Sequence, residues 1–153
     1  MVIKIYFLHI VILKNKISLV EYKSYNITLK IKGIGTKKIF SSDSYYFEPK
    51  YYPNEVYING NIQNNVSYSY NLNETDNLIG LKWYDLINSC DSMFRECSDI
   101  TEIDLSNFNT SNVENMQLMF YGCSSLTSLN LTNFNTSKVT LMDAMFYNCS
   151  SLT

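Results

Sequence analysis

A length of 153 residues bounds the chain to one modest hydrophobic core, either as one domain or as a small cap joined to part of a repeat array. The net charge is only -2, yet eight of the twelve basic residues lie at or before Lys38. These lysines alternate with apolar residues, as they would on the solvent face of strands, and we therefore expect no nucleic-acid partner.

Residues 1–25 contain a short apolar run from Ile5 to Leu13. The run fits the core of a degenerate leader peptide, although no small-residue cleavage site follows it, and it also fits a buried first strand. It is too short to cross a bilayer as a helix. Any membrane attachment is therefore expected to come from this leader or from sequence beyond Thr153.

Residues 26–77 are predicted to form a β-rich N-terminal cap region. Ile27, Leu29 and Ile31 alternate with polar residues, which is typical of a strand with one buried face. Further along, Asn59-Gly60 predicts a tight hairpin, because both residues readily adopt positive φ. The cap is therefore expected to consist of strands and turns.

From Leu78 onward the chain repeats itself with a period of 26 residues. A period in this range predicts a solenoid of stacked units. We divide the region into a capping half-repeat (78–96), two full repeats (97–148) and a truncated third repeat from 149. The clearest columns at this spacing are Met93, Met119 and Met145; Phe94, Phe120 and Phe146; and Cys97, Cys123 and Cys149.

Each unit combines a strand pattern with a helix pattern. Leu129 and Leu131 alternate with polar residues, so both should point into the core. The segment 113–120 has apolar residues at helical spacing, behind a capping-box pair of Ser111 and Glu114. The predicted fold is therefore α/β: a leucine-rich-repeat-like solenoid of short parallel strands plus short helices, with a β-rich N-terminal cap region.

The string C-S-S-L-T-S-L-x-L-x-N-F-N-T-S-x-V-x-x-M-x-x-M-F, which begins at Cys123, resembles the 26-residue leucine-rich repeat of BspA-type surface proteins. The resemblance covers roughly Leu78 to Thr153. It implies a right-handed leucine-rich solenoid at a cell surface that binds host or matrix components. Members of that family carry many units and this chain has two whole ones, so we expect a fragment or a degenerate copy of a longer array. The expected apolar open end consists of Met145, Phe146 and Leu152.

The cysteine column is the sharpest candidate for chemistry. Cys97, Cys123 and Cys149 should stack about 5 Å apart, as a column of buried thiols or with a disulfide that involves Cys90 or adjacent turns. Zinc is not expected, because no C-x-x-C pair is present and the only histidine, His9, is remote. The repeats hold no nucleophile and base pair and no known enzyme motif. We therefore predict that the protein is not an enzyme and has no catalytic residues, cofactor or metal.

The outward positions of the predicted strands form the candidate binding site. They are mostly small and polar, which favours a protein or glycan ligand held by hydrogen bonds over a shallow surface. The predicted function is a non-enzymatic recognition or adhesion module at the cell surface or outside the cell. The alternatives are an intracellular, cytoplasmic scaffold for protein–protein interaction, or a non-functional fragment of a longer repeat array. The candidate partner-binding residues are Glu102, Asp104, Ser106, Ser128, Asn130 and Thr132.

Overall fold

The computed structural model describes residues 2–5, 8–13, 16–20, 24–42 and 45–153, the first three of these ranges as backbone only. Those three ranges form an antiparallel sheet of β1 (Val2–Ile5), β2 (Leu8–Leu13) and β3 (Lys16–Val20). The assignment of this segment as a leader therefore stays a prediction. Among the described residues, no helix is long and apolar enough to cross a membrane.

A six-stranded sheet organises the rest of the chain. The strands after β3 are β4 (Tyr25–Lys32), β5 (Gly35–Lys38), β6 (Glu55–Ile58), β7 (Asn61–Ile62), β8 (Ser69–Leu72), β9 (Asp76–Trp83), β10 (Ile100–Asn107) and β11 (Ser128–Asn130), with a short 3-10 helix at Pro49–Tyr51. The six strands of the sheet run in the order β11, β10, β4, β9, β6 and β7. Every neighbouring pair is antiparallel except β10 with β11, which is parallel. A separate antiparallel pair joins β5 to β8.

The alternation of apolar and polar residues in the cap region matches the sheet, whose inner face lies in the core. Ile27, Leu29 and Ile31 of β4 are fully buried, and residues of β9 and β10 continue the same layer. The Asn59-Gly60 hairpin is confirmed, with positive φ at both residues and β6 paired to β7. The predicted boundary between cap and repeats at 77/78 falls inside β9.

The α/β prediction is wrong, because the described residues contain no α-helix. The segments predicted as helices are runs of turns closed by i to i+3 hydrogen bonds, such as Met119 N–H to the Met116 carbonyl. Leu118 and Gly122 adopt positive φ, and a left-handed residue every fourth position prevents helix propagation. Nor do Ser111 and Glu114 cap a helix: the Ser111 N–H donates to Asn109 Oδ1 at 2.9 Å.

The turn segments stack on one another, and we call residues 89–97, 115–123 and 141–149 rungs one, two and three. Every second N–H of one rung donates to a carbonyl of the next, which completes two four-bond ladders. Parallel bridges join Ser89 to Asn115 and Asn115 to Leu141 at the start of the ladders. The donors are Cys90, Ser92, Phe94 and Glu96 to rung two, and Met116, Leu118, Phe120 and Gly122 to rung three, at 2.7–3.0 Å.

The cap region closes the first rung from the other side. The Ser41 N–H donates to the Met93 carbonyl at 2.8 Å, and Lys38 Nζ donates to the Arg95 carbonyl at 2.8 Å. The Arg95 guanidinium also lies 5.5 Å from the ring centre of Tyr46, in the tyrosine-rich cap segment. The stack therefore begins on a surface with matching donors, whereas a free first rung would leave these two carbonyls without these partners.

We predict that Leu105→Asp lowers the free energy of unfolding by about 3 kcal/mol or more, because Leu105 is fully buried on β10 and a carboxylate there has no partner. The matched control is Asn107→Asp at the exposed end of the same strand, which should change stability by less than about 0.5 kcal/mol. Urea unfolding followed by tryptophan fluorescence measures both. Equal midpoints for the two variants would show that the inner face of β10 is misassigned.

Candidate binding surface

The structure brings five of the six predicted site residues together on two adjacent strands. Glu102 and Asp104 of β10 lie opposite Ser128 and Asn130 of β11 in parallel register. Ser106 follows on β10, and its N–H donates to Asp104 Oδ1 at 2.8 Å. These side chains therefore share one face of the sheet.

Thr132, the sixth predicted residue, lies two positions beyond the end of β11. It still contacts the surface, because its N–H donates to Asn130 Oδ1 at 3.1 Å. This bond repeats the one between Ser106 and Asp104 at a distance of 26 residues. Thr132 thus positions Asn130 and lies outside the strands.

β4 contributes residues to the candidate surface that the sequence interpretation missed. In the antiparallel register of β4 with β10, Lys30 lies opposite Glu102 and Thr28 opposite Asp104. Lys30 Nζ and Glu102 Oε2 form an ion pair at 2.7 Å, with both side chains about half exposed. The repeat did contain a signal for this strand. Glu102 and Asp104 of the first unit correspond to the neutral residues Ser128 and Asn130 of the second, which indicates that the first unit has a charged neighbour that the second unit lacks.

Six outward side chains from β4, β10 and β11 surround a shallow depression of about 270 Å³. We call these six residues the strand face. A second depression, of about 410 Å³, lies on the other side of the Lys30 and Glu102 pair and also includes Asp76 and Leu78. The strand face consists of Thr28, Lys30, Glu102, Asp104, Ser128 and Asn130.

Asp104 remains a carboxylate over the physiological pH range. Hydrogen bonds from the backbone and side chain of Ser106, with a further one from Asn130, hold the pKa of Asp104 below its usual value. The ionised form therefore persists as an acceptor beside the Lys30 cation. Within the described part of the chain, no group of three or more histidine, cysteine, aspartate or glutamate residues is arranged to hold a metal ion.

The cysteines pack in or against the core, and two of them hydrogen-bond to the neighbouring rung. All four are free, and three of them, Cys90, Cys97 and Cys123, are fully buried. The Cys123 thiol lies 3.1 Å from the Phe94 carbonyl, and the Cys149 thiol lies 3.1 Å from that of Phe120. Burial raises the pKa of Cys123 to about 12, so this thiol is a neutral donor. The arrangement is a packed thiol column, and the alternative of a disulfide with Cys90 is not formed.

The repeat region identifies the family. Residues 62–153, more than half of the chain, match the family described as "Mycoplasma protein of unknown function, DUF285", and the chain belongs to it. No curated protein and no solved structure matches the chain. The family agrees in broad terms with the resemblance to BspA-like surface proteins, while membership of a leucine-rich repeat class stays a prediction.

We predict that thiol alkylation separates the cysteines by burial. In the native protein at pH 8, Cys149 should react with iodoacetamide first, because it is only partly buried. Cys90, Cys97 and Cys123 should react at least about tenfold more slowly, since burial raises their pKa values and blocks access. Mass spectrometry of peptides after timed quenching measures the rates, with a urea-unfolded sample as control. Equal rates at all four cysteines in the native protein would contradict the buried column.

Proposed function

We propose that this protein is a non-enzymatic recognition or adhesion module that binds a protein or glycan through the strand face. The observation that carries the proposal is the meeting of three strands, β4, β10 and β11, whose outward side chains surround one depression of about 270 Å³. An amide, two hydroxyls, one cation and two carboxylates lie on this surface. Such a set provides donors and acceptors for a polar ligand.

The charges on the strand face support a ligand held by exchangeable polar contacts. Lys30 and Glu102 pair at the surface, where an ion pair contributes little stability and exchanges readily for contacts to a ligand. Asp104 adds an acceptor that the Ser106 N–H holds in place. A bound group therefore meets a fixed acceptor at Asp104 and a cation on β4 that can exchange Glu102 for the ligand. Hydroxyl-rich glycans and polar protein loops both match this chemistry.

A cell-surface location is part of the proposal and is supported by the resemblance to BspA-type surface proteins together with the DUF285 family. One observation favours the intracellular scaffold instead: all four cysteines are free, which is typical of a reducing compartment. The two locations use the same strand face. Labelling intact cells of the native host with a membrane-impermeant biotin reagent distinguishes them, because only a surface protein becomes labelled.

The test of the binding site uses Asp104→Lys combined with Asn130→Lys. The two substitutions add two cations to the strand face beside Lys30, one of them in place of the Asp104 carboxylate. We expect binding to fall at least about tenfold, because a bound ligand loses two acceptors and meets repulsion from any positive group. The wild-type protein is first screened against arrayed glycans and arrayed extracellular proteins, and its strongest ligand is then titrated against both forms.

The matched control is Asp85→Lys combined with Asn73→Lys, which makes the same chemical change at two exposed positions outside the strand face. This control should retain binding within about twofold. Circular dichroism should show the same spectrum for all three proteins. Undiminished binding by the Asp104 and Asn130 variant, or no ligand on either array, would contradict the proposal.

A further inference from the structure

A groove lined by side-chain amides lies where β4 begins and β10 ends. Its volume is about 470 Å³, and besides asparagines it is lined by three serines, Tyr25 and Phe108. Among the described residues, no charged side chain lines it. It shares no residue with the strand face. We call five of its residues the asparagine groove: Asn26, Asn107, Asn109, Asn133 and Asn135.

Two of these amides are open on the sheet itself. Asn26 lies opposite Asn107 in the register of β4 with β10, and Asn107 is exposed. Neither side-chain amide has a hydrogen-bond partner among the described residues. Each amide offers two donor hydrogens and one acceptor oxygen. A ligand in the groove can therefore use both amides as donors and as acceptors.

Two further amides are oriented by the backbone. Asn109 Oδ1 accepts from the Ser111 N–H at 2.9 Å, and Asn135 Oδ1 accepts from the Ser137 N–H at 2.9 Å. A backbone N–H can only donate, so each side chain must turn its oxygen toward that N–H and keeps Nδ2 as a donor. Neither Nδ2 has an acceptor within the described part of the chain. The groove thus has two equivalent donors, one from each full unit.

The open donor of Asn109 is a property of the repeat. The following unit already lies beside it, because the Thr110 hydroxyl donates to the Asn135 carbonyl at 3.0 Å. Asn109 Nδ2 nevertheless stays without an acceptor in the described residues, so stacking of the next unit does not satisfy it. A bound ligand can satisfy this donor.

Asn133 adds an oriented acceptor. Its Nδ2 donates to the Ser106 carbonyl at 2.6 Å, which leaves Oδ1 for a ligand. The groove therefore combines donors and acceptors without a charge. A hydroxyl group both donates and accepts, so a ligand with many hydroxyls matches this set. An ionic group would lose its hydration here without gaining an opposite charge.

The groove has no apolar anchor site for a protein partner. Phe108 is only 3% exposed, and Tyr25 is partly buried. No open pocket therefore accepts the aromatic or aliphatic anchor that usually dominates binding at a protein interface. The partly exposed ring of Tyr25 offers one apolar surface, which suits the C–H face of a sugar ring. The chemistry of the groove therefore favours a saccharide over a peptide.

We propose that the asparagine groove binds a neutral oligosaccharide. Its hydroxyls accept from Nδ2 of Asn109 and Asn135 and donate to Asn133 Oδ1, while the amides of Asn26 and Asn107 take both roles. A shallow site of this kind gives a Kd of about 1 mM for one short chain. The proposal is independent of the strand face, because the two surfaces share no residue.

The test titrates the isotopically labelled full-length protein with three neutral tetrasaccharides: maltotetraose, cellotetraose and N-acetylchitotetraose, each up to about 10 mM. At least one of them should shift the side-chain amide NMR signals of Asn26, Asn107 and Asn109. Its Kd should change less than about twofold between about 50 and 500 mM salt, because no charged group takes part. Anionic tetragalacturonate, the cationic chitosan tetramer and a Ser-Gly hexapeptide should each bind at least about tenfold more weakly.

The matched chain variants are Asn109→Asp and Asn64→Asp. The first keeps the acceptor for the Ser111 N–H and replaces only the Nδ2 donor, so the local fold is retained. It should weaken binding of the tetrasaccharide about tenfold or more. Asn64→Asp makes the same chemical change at an exposed position outside the groove and should leave binding within about twofold. Equal urea midpoints for the two variants verify that the fold is intact.

Three results would overturn the proposal. The first is an absence of shifts at the groove amides with all three neutral tetrasaccharides. The second is tighter binding of a charged tetramer or of the hexapeptide, which would assign the groove to an ionic or a peptide ligand. The third is equal binding by Asn109→Asp and Asn64→Asp, which would place the saccharide outside the groove.

Discussion

Backbone hydrogen bonds between rungs are the interaction on which the rest of the structure depends. In rungs one and two every second N–H points at the next rung, so the Phe94 N–H donates to the Met119 carbonyl and the Phe120 N–H donates to the Met145 carbonyl. A helix would direct the same N–H groups back along its own chain. Satisfying these N–H groups on a neighbouring rung fixes the spacing between units. That spacing stacks the phenylalanine rings at 5.9 and 5.4 Å and brings the Cys123 and Cys149 thiols to carbonyls of the preceding rung.

The same directional bonds explain how the stack of rungs begins and where the strand face lies. Carbonyls of the first rung require donors, and the cap supplies them through Ser41 and Lys38. This attachment accompanies the pairing of β4 with β10, which brings Lys30 to Glu102. A polar surface at the junction of cap and repeats therefore follows from how the stack begins.

The repeat period, the buried columns and the cap strands could be predicted from the sequence, because each depends on local alternation or on exact spacing. The absence of α-helices from the described residues could not be predicted, because Met116, Met119 and Phe120 have the same spacing in consecutive turns as on a helix. The distinguishing signal is the column Glu96, Gly122 and Asn148, where glycine and asparagine tolerate the left-handed conformation that all three residues adopt. Lys30 was missed as a site residue because its partner strand lies about 70 residues away, and periodicity within a repeat carries no information about which cap strand pairs with it.

Backbone NMR of the full-length protein tests this account most directly. The ladder between rungs predicts slow amide exchange at alternate residues, Met116, Leu118, Phe120 and Gly122, with chemical shifts at Leu118 typical of positive φ. Asn115, whose N–H has no acceptor among the described residues, should exchange faster. Contiguous protection from Val113 to Phe120 with helical carbon shifts throughout would contradict the account, because those N–H groups would then bond within their own segment.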